Sequence, residues 1–297
     1  MRPRDLRLAD GRLAALSWGE EGAPIWLALH GWLDNAASFS RLAPTLAATL
    51  GVRIVALDLP GHGHSQARGA GADYPLWGYL PDVLDALEAL DASRVTLFGH
   101  SMGAGIATML AAAAPECVAR LVLIDGLAST TDEPAATVGQ LQAGLRARRR
   151  PARDSRGYAT VEEALAARVR GGVTRLDAET ARPIVERNLQ RDRDGRFHWR
   201  TDPRLSAPSL LRWSPAQMLE TMAAVDVPTL LLQASAGVLN ERAHFHEACR
   251  RIARLTRRVL GGGHHLHLER ATVARVGEEI VRWQVACDRM QDKEKTP

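Results

Sequence analysis

A chain of 297 residues with 46% apolar and 24% charged side chains has an ordinary globular composition, long enough for one large α/β domain or for a core with an inserted cap. Its apolar runs are short and broken by charge or glycine, so no transmembrane helix and no signal peptide is expected, and a cytoplasmic setting follows. The net charge of +4 is carried almost wholly by arginine, Lys293 and Lys295 being the only lysines, an Arg/Ala bias of the kind a GC-rich bacterial genome yields.

The N-terminal half alternates strand and helix signals. DLRLAD, Gly11 and RLAALSWG read as a hairpin. The apolar run 25–29 reads as a strand ending at His30-Gly31, and 38–50 as a helix capped by Ser38. A strand at 53–59 ends in Pro60-Gly61-His62-Gly63, and a helix is predicted over 76–90. The strand 95–98 breaks at Gly99-His-Ser-Met-Gly103, and an Ala-rich helix follows to 114. The strand 121–124 ends at Asp125-Gly126. Such alternation predicts a parallel sheet with helices on both faces and right-handed crossovers.

From 127 to 224 the pattern changes to charged, Ala/Arg-rich helix with prolines at 151, 183, 203, 208 and 215, and no convincing buried strand. The run Arg146-Ala-Arg-Arg-Arg-Pro-Ala-Arg153 reads as a solvated helix end, because no nucleic-acid motif accompanies it. The sheet pattern resumes with a strand at 228–233, a helix at 239–253 and a strand at 257–260. A closing helix over 271–289 carries Val273, Val276, Ile280 and Trp283 on one face, before a polar tail expected to fray. The expected organisation is a core of residues 1–126 and 225–297 with a helical cap at 127–224. Cys117, Cys249 and Cys287 lie far apart, which points to buried free thiols rather than a disulfide framework or a zinc site.

Chemistry concentrates at three turns. Gly99-His-Ser-Met-Gly103 matches G-x-S-x-G between a strand and a helix, the setting in which a serine is held strained and exposed at a helix N-terminus; Ser101 is the candidate nucleophile. His30-Gly31-Trp32 closes an earlier strand, so the Trp32 and Met102 N–H groups are the candidate oxyanion hole. Gly261-Gly-Gly-His-His-Leu-His267 offers the base: His264 first, His265 as the alternative, His267 as structural. Metal binding by these histidines is not expected, since no acidic or cysteine residue has matching spacing. His100, Asp34 and His30 are candidate substrate contacts beside the turns. Asp34 and Asn35 are alternatively loop-holding, and His100, with His62 and His64, structural or pocket-lining.

The order HGWLDNAASF, ALDLPGHGHS, GHSMG, LVLIDG and GGGHHLHLE resembles the α/β-hydrolase superfamily; HGWLDNAASFSRLAP and FHWRTDPRLSAPSLLRW resemble its serine hydrolase-like branch. The resemblance spans nearly the whole chain. It implies an eight-stranded, mostly parallel sheet, a Ser–His–acid triad, no cofactor and ester-like small-molecule substrates. No nucleic-acid or membrane partner is expected, and the chain is expected to be a monomer or homodimer. Where most relatives carry the acid, after the strand at 229–233, this chain reads QASAGVLN without a carboxylate. Asp226 precedes that strand and Glu241 falls in the next helix, leaving Asp125, which either orients the base or caps its loop. Asp58 is expected to organise its loop, and Arg200, Asp202 and Arg204 either to latch the cap onto the core or to form a salt-bridged surface. The expected activity is that of a carboxylesterase or thioesterase. The rivals are a lyase, perhydrolase or acyltransferase on the same scaffold, or a binding protein without turnover.

Overall fold

Short continuous apolar runs build the sheet, and the computed structural model describes residues 1–149, 156–171 and 174–295. In chain order the elements are β1 (Arg4–Leu8), β2 (Leu13–Trp18), β3 (Ile25–Leu29), α1 (Ala43–Leu50), β4 (Arg53–Asp58), α2 (Leu80–Ala89), β5 (Val95–His100), α3 (Met102–Ala113) and β6 (Val118–Ile124). Then follow α4 (Thr137–Arg148), α5 (Val161–Gly171), α6 (Ala178–Asn188), β7 (Leu189–Arg191), β8 (Phe197–Trp199) and α7 (Pro215–Ala223). The chain closes with β9 (Thr229–Ala236), α8 (Phe245–Arg251), β10 (Leu255–Gly263) and α9 (Val273–Lys295). Eight strands form one sheet in the order β1-β2-β4-β3-β5-β6-β9-β10. The pairs β1/β2 and β2/β4 are antiparallel, and every later pair in the sheet is parallel.

Side chains along each strand divide between two apolar layers. In β3, Leu27 and Leu29 face a layer with α2, α3, α7 and α8, while Trp26 and Ala28 face the layer with α1 and α9. Burial of the strands on both faces is why they read as continuous apolar runs. Residues between β6 and β9 leave the sheet and build a third, smaller cluster from Ala164, Leu165, Leu176, Ala181, Ile184, Val185 and Leu189, packed with Leu268.

Several expected boundaries shift. The helix predicted over 38–50 is a 3-10 turn, Ala36–Phe39, followed by α1. Pro44 belongs in a first helical turn, and Asn35 rather than Ser38 is the cap, its side chain accepting from Ala37 N–H. The helix predicted over 239–253 likewise breaks into a turn, Val238–Glu241, and α8, with His244 left-handed at φ 60° between them. Glu241 therefore lies in the short turn. The region read as helical with no convincing buried strand contains the small antiparallel hairpin β7–β8, whose Asp194-Gly195 pair is a hairpin signal and whose residues are mostly not fully buried. The tail expected to fray continues α9 to Lys295, beyond which residues lie outside those described. The second half of the basic run, residues 150–153, also lies outside the described residues. All three cysteines are free thiols, Cys287 buried but Cys117 and Cys249 only half-buried.

Candidate active site

Three parallel-strand ends converge on one cavity. The chain passes from β5 into α3 through Ser101, which takes φ 52° and ψ −114°, a conformation costing about 1–3 kcal/mol for a non-glycine residue. Backbone bonds hold it there: Ser101 N–H donates to Ile124 O at 3.0 Å, and Ser101 O accepts from Ala104 N–H at 3.1 Å. Gly103 makes the turn sterically possible, since a Cβ at that position would lie 2.0 Å from Leu29 O. The serine hydroxyl is thus set on the cavity wall at the head of α3.

Asp125 ends β6 and is fully buried, with φ 40°. Its carboxylate accepts from Ala234 N–H at 3.1 Å, Val238 N–H at 3.0 Å and His264 Nδ1–H at 2.6 Å. The stretch after β9 that lacks an acid therefore supplies N–H groups that hold an acid from the neighbouring strand. Gly237 allows this close cover, because a Cβ there would lie 2.1 Å from the carboxylate. A carboxylate only accepts, so the His264 proton sits on Nδ1, and Nε2 is left as the basic nitrogen. Ser101 and His264 line the same cavity; among the described residues no hydrogen bond joins them in this resting geometry.

The other two histidines of the loop separate cleanly. His265 Nε2 lies 2.9 Å from Asp34 Oδ2, and His267 Nε2 lies 2.8 Å from Ser38 Oγ in full burial. His100 donates from Nε2 to His264 O at 3.0 Å, with ring centroids 4.6 Å apart, so it steadies the backbone of the base loop. Although burial opposes ionisation, the charge and hydrogen bond of His265 hold the Asp34 carboxyl down to about 2. Burial pushes His100 and His267 well below the usual histidine range, with repulsion from neighbouring histidines acting the same way.

A sequence model of the α/β-hydrolase fold matches residues 25–271. The chain belongs to this family, within its serine hydrolase-like branch. A serine hydrolase-like protein of Danio rerio is 31% identical over 77% of the chain and 70% of its own length. One from Dictyostelium discoideum is 29% identical over 86% and 74%. Among solved structures, a hypothetical protein of Pseudomonas aeruginosa is 40% identical with TM-score 0.85, covering 96% of this chain and all (100%) of that one. The thioesterase domain of the curacin biosynthetic pathway is 27% identical with TM-score 0.77, covering 95% and 99%. An esterase of Mycobacterium tuberculosis is 26% identical with TM-score 0.68, covering 96% and 92%.

In this α/β-hydrolase the cavity measures about 1200 Å³, and Trp32, Met102, Asp34 and His100 are on its wall. His30, expected to face substrate, is a correction. It is fully buried and not on the cavity wall; its Nε2 accepts from Leu59 N–H at 3.0 Å and its Nδ1–H donates to Gly31 O at 2.7 Å. It braces the Trp32 turn from behind. Asp58 organises its loop by accepting from Ala36 N–H at 2.7 Å and His64 N–H at 2.8 Å. It also meets Arg187 of α6, Nη2 to Oδ2 at 2.8 Å, a buried ion pair between hydrolase core and insertion that no sequence motif marks. Asp202 and Arg204 do reach the core: Tyr74 OH donates to Asp202 Oδ2 at 2.6 Å, and Arg204 donates to Gly69 O at 2.7 Å and Arg68 O at 2.6 Å. Arg200 Nε donates instead to Leu189 O within the insertion at 3.1 Å, and its charge acts on His64 of the core without a described hydrogen bond. No described helix is long and apolar enough to cross a membrane.

Proposed function

We propose that this α/β-hydrolase is a serine esterase or thioesterase acting on small acyl compounds through an acyl-enzyme. The observation that carries the reading is the 2.6 Å hydrogen bond from His264 Nδ1 to a buried Asp125, facing the same cavity as the strained Ser101. In this reading His264 Nε2 takes the proton from Ser101 Oγ as the oxygen attacks the acyl carbonyl. The N–H groups of Trp32 and Met102 receive the developing oxyanion, Met102 with the added field of the α3 N-terminus. His264 then passes its proton to the leaving alcohol or thiol, and a water molecule, deprotonated by the same ring, releases the acid. Asp125 stays ionised and stabilises the imidazolium.

Residues 127–224 act as the cap that selects the acyl group. Leu76, Trp77, Met109, Met218, Trp213 and Phe245 give the cavity apolar walls, with the Trp77 and Trp213 rings stacked at 6.2 Å between centroids. An acyl chain or aromatic acid matches this lining. The test is turnover of short p-nitrophenyl esters and acyl thioesters by the wild type and by Ser101→Ala, with circular dichroism as the folding control. Hydrolysis that disappears in the variant supports the reading; full activity in Ser101→Ala places the nucleophile elsewhere. A protein that binds such compounds without turnover is the second reading, favoured by the missing Ser101–His264 hydrogen bond. Binding of the esters with no hydrolysis by the wild type would establish it.

A further inference from the structure

Asp34, His100 and His265 come together from three separate turns, their candidate ligand atoms all within 4.8 Å of one another and all three residues buried. We propose that they form a binding site for one transition-metal dication of the zinc class. No carboxylate lies near the 264–267 histidines at metal-ligand spacing in sequence; the fold brings one from residue 34.

The proton positions argue for it. His100 Nε2 must donate to the carbonyl of His264, so Nδ1 presents a lone pair. That lone pair faces Asp34 Oδ2, an ionised oxygen, at 3.6 Å, and Nδ1 has no hydrogen-bond partner although His100 is fully buried. Two lone pairs confront each other where an electrophile belongs. A metal ion would give the orphaned Nδ1 its partner and take His265 Nε2 as third ligand, 2.9 Å from the same oxygen.

Room exists as well. A Cβ on Gly31 would sit 2.9 Å from His100 Nδ1 and 3.1 Å from Asp34 Oδ2, so the glycine leaves open the space in front of both. Tetrahedral zinc with bonds near 2.1 Å sets ligands about 3.4 Å apart, and the widest edge of the triad closes by at most about 1.4 Å to reach that. Two imidazoles and one carboxylate suit zinc-class ions over magnesium or calcium. With Nε2 given to the metal, His265 Nδ1–H donates to Thr174 Oγ1, now 3.4 Å away. The fourth position opens on the cavity that all three residues line.

Occupancy also silences the serine chemistry, a consequence that rests on the proposed function. The His100 ring is 4.6 Å from the His264 ring, and a cation on its far nitrogen opposes the positive charge His264 must carry in the transition state.

The site is tested on chelator-treated Ser101→Ala protein, which separates it from catalysis. Titration calorimetry with ZnCl2 is expected to give one ion per chain, with magnesium giving no heat. Asp34→Asn and His265→Gln should each weaken zinc binding by about 10–100-fold, and His264→Ala by less than threefold. An anomalous difference map at the zinc edge should place the ion between the three side chains, a readout that holds if a variant misfolds. No zinc binding, binding untouched by both ligand substitutions, or an ion found on His264 would each overturn the site. In the wild type, zinc should slow ester turnover at least tenfold, reversibly with chelator. Unchanged turnover with the site occupied overturns the silencing, and an enzyme without esterase activity removes the silencing while leaving the site.

Discussion

The floor and the roof of the cavity are built by different physics. The floor is made of strand ends: Ser101 and Asp125 hold left-handed backbone, fixed by buried N–H bonds to β6 and β9. The roof, from α4 to the start of α7, has only a small apolar cluster, packed with Leu268, and is tied down by long-range polar contacts: Arg187 to Asp58, Asp202 to Tyr74, Asn35 Nδ2 to Ile184 O and Trp32 Nε1 to Leu205 O. A rigid floor places reacting groups to within a fraction of an ångström. A roof hung on polar pairs can be exchanged or shifted without disturbing them. Chemistry and selectivity should therefore respond to different substitutions.

The sharpest break between the two is chemical. Ser101→Ala should lower kcat on p-nitrophenyl butyrate at least about 10⁴-fold with an unchanged melting temperature. Asp125→Asn, which leaves the His264 tautomer unfixed, should cost about 10³–10⁴-fold in kcat with a smaller change in KM; a loss under tenfold would reduce Asp125 to a loop cap.

Stability should follow the buried histidines next. Burial lowers His100 and His267 well below the usual range, His30 below it and His62 to about 3. The unfolded chain takes up protons near pH 6.5 that the fold excludes, so stability is present above that pH and lost as pH falls below it. The limit is about 1.4 kcal/mol per histidine for each pH unit, and thermal melts from pH 7.5 to 5.5 should show a steady fall. A flat melting temperature would mean that these rings ionise in place. Arg187→Met leaves the Asp58 carboxylate buried without its cation and should destabilise the fold by about 3–5 kcal/mol in urea titrations. The smallest effect belongs to the roof: Trp213→Ala, which removes the ring stacked on Trp77, should raise KM for aromatic or long-chain esters about threefold to tenfold while kcat barely moves. An equal loss in kcat would show that the roof takes part in the chemistry.

This division also decides what was legible in the sequence. The strands and their order of alternation with helices follow from short local apolar runs, and Ser101 from a motif five residues long. Asp125 stood out because the usual later acid is absent, yet its pairing with His264 rather than with a loop needed the N–H groups of Ala234 and Val238 to be placed. His30 was misjudged because its neighbour Trp32 lies on the cavity wall; a strand-end histidine gives no sign of whether its ring points forward or behind. Arg187 and the Asp34–His100–His265 cluster were invisible, being contacts between turns separated by more than sixty residues with no spacing to mark them. The break before α1 was readable in principle from Pro44 and Asn35.

The central claim is that a serine at the β5–α3 bend is made nucleophilic by a histidine delivered from beyond β10. Intact-protein and peptide mass spectrometry after exposure to a fluorophosphonate measures it directly. One covalent adduct per chain on Ser101, absent from Ser101→Ala and formed at least a hundredfold more slowly in His264→Ala, is the expected result. An unlabelled Ser101 in folded wild-type protein, or equal labelling rates with and without His264, would contradict the account.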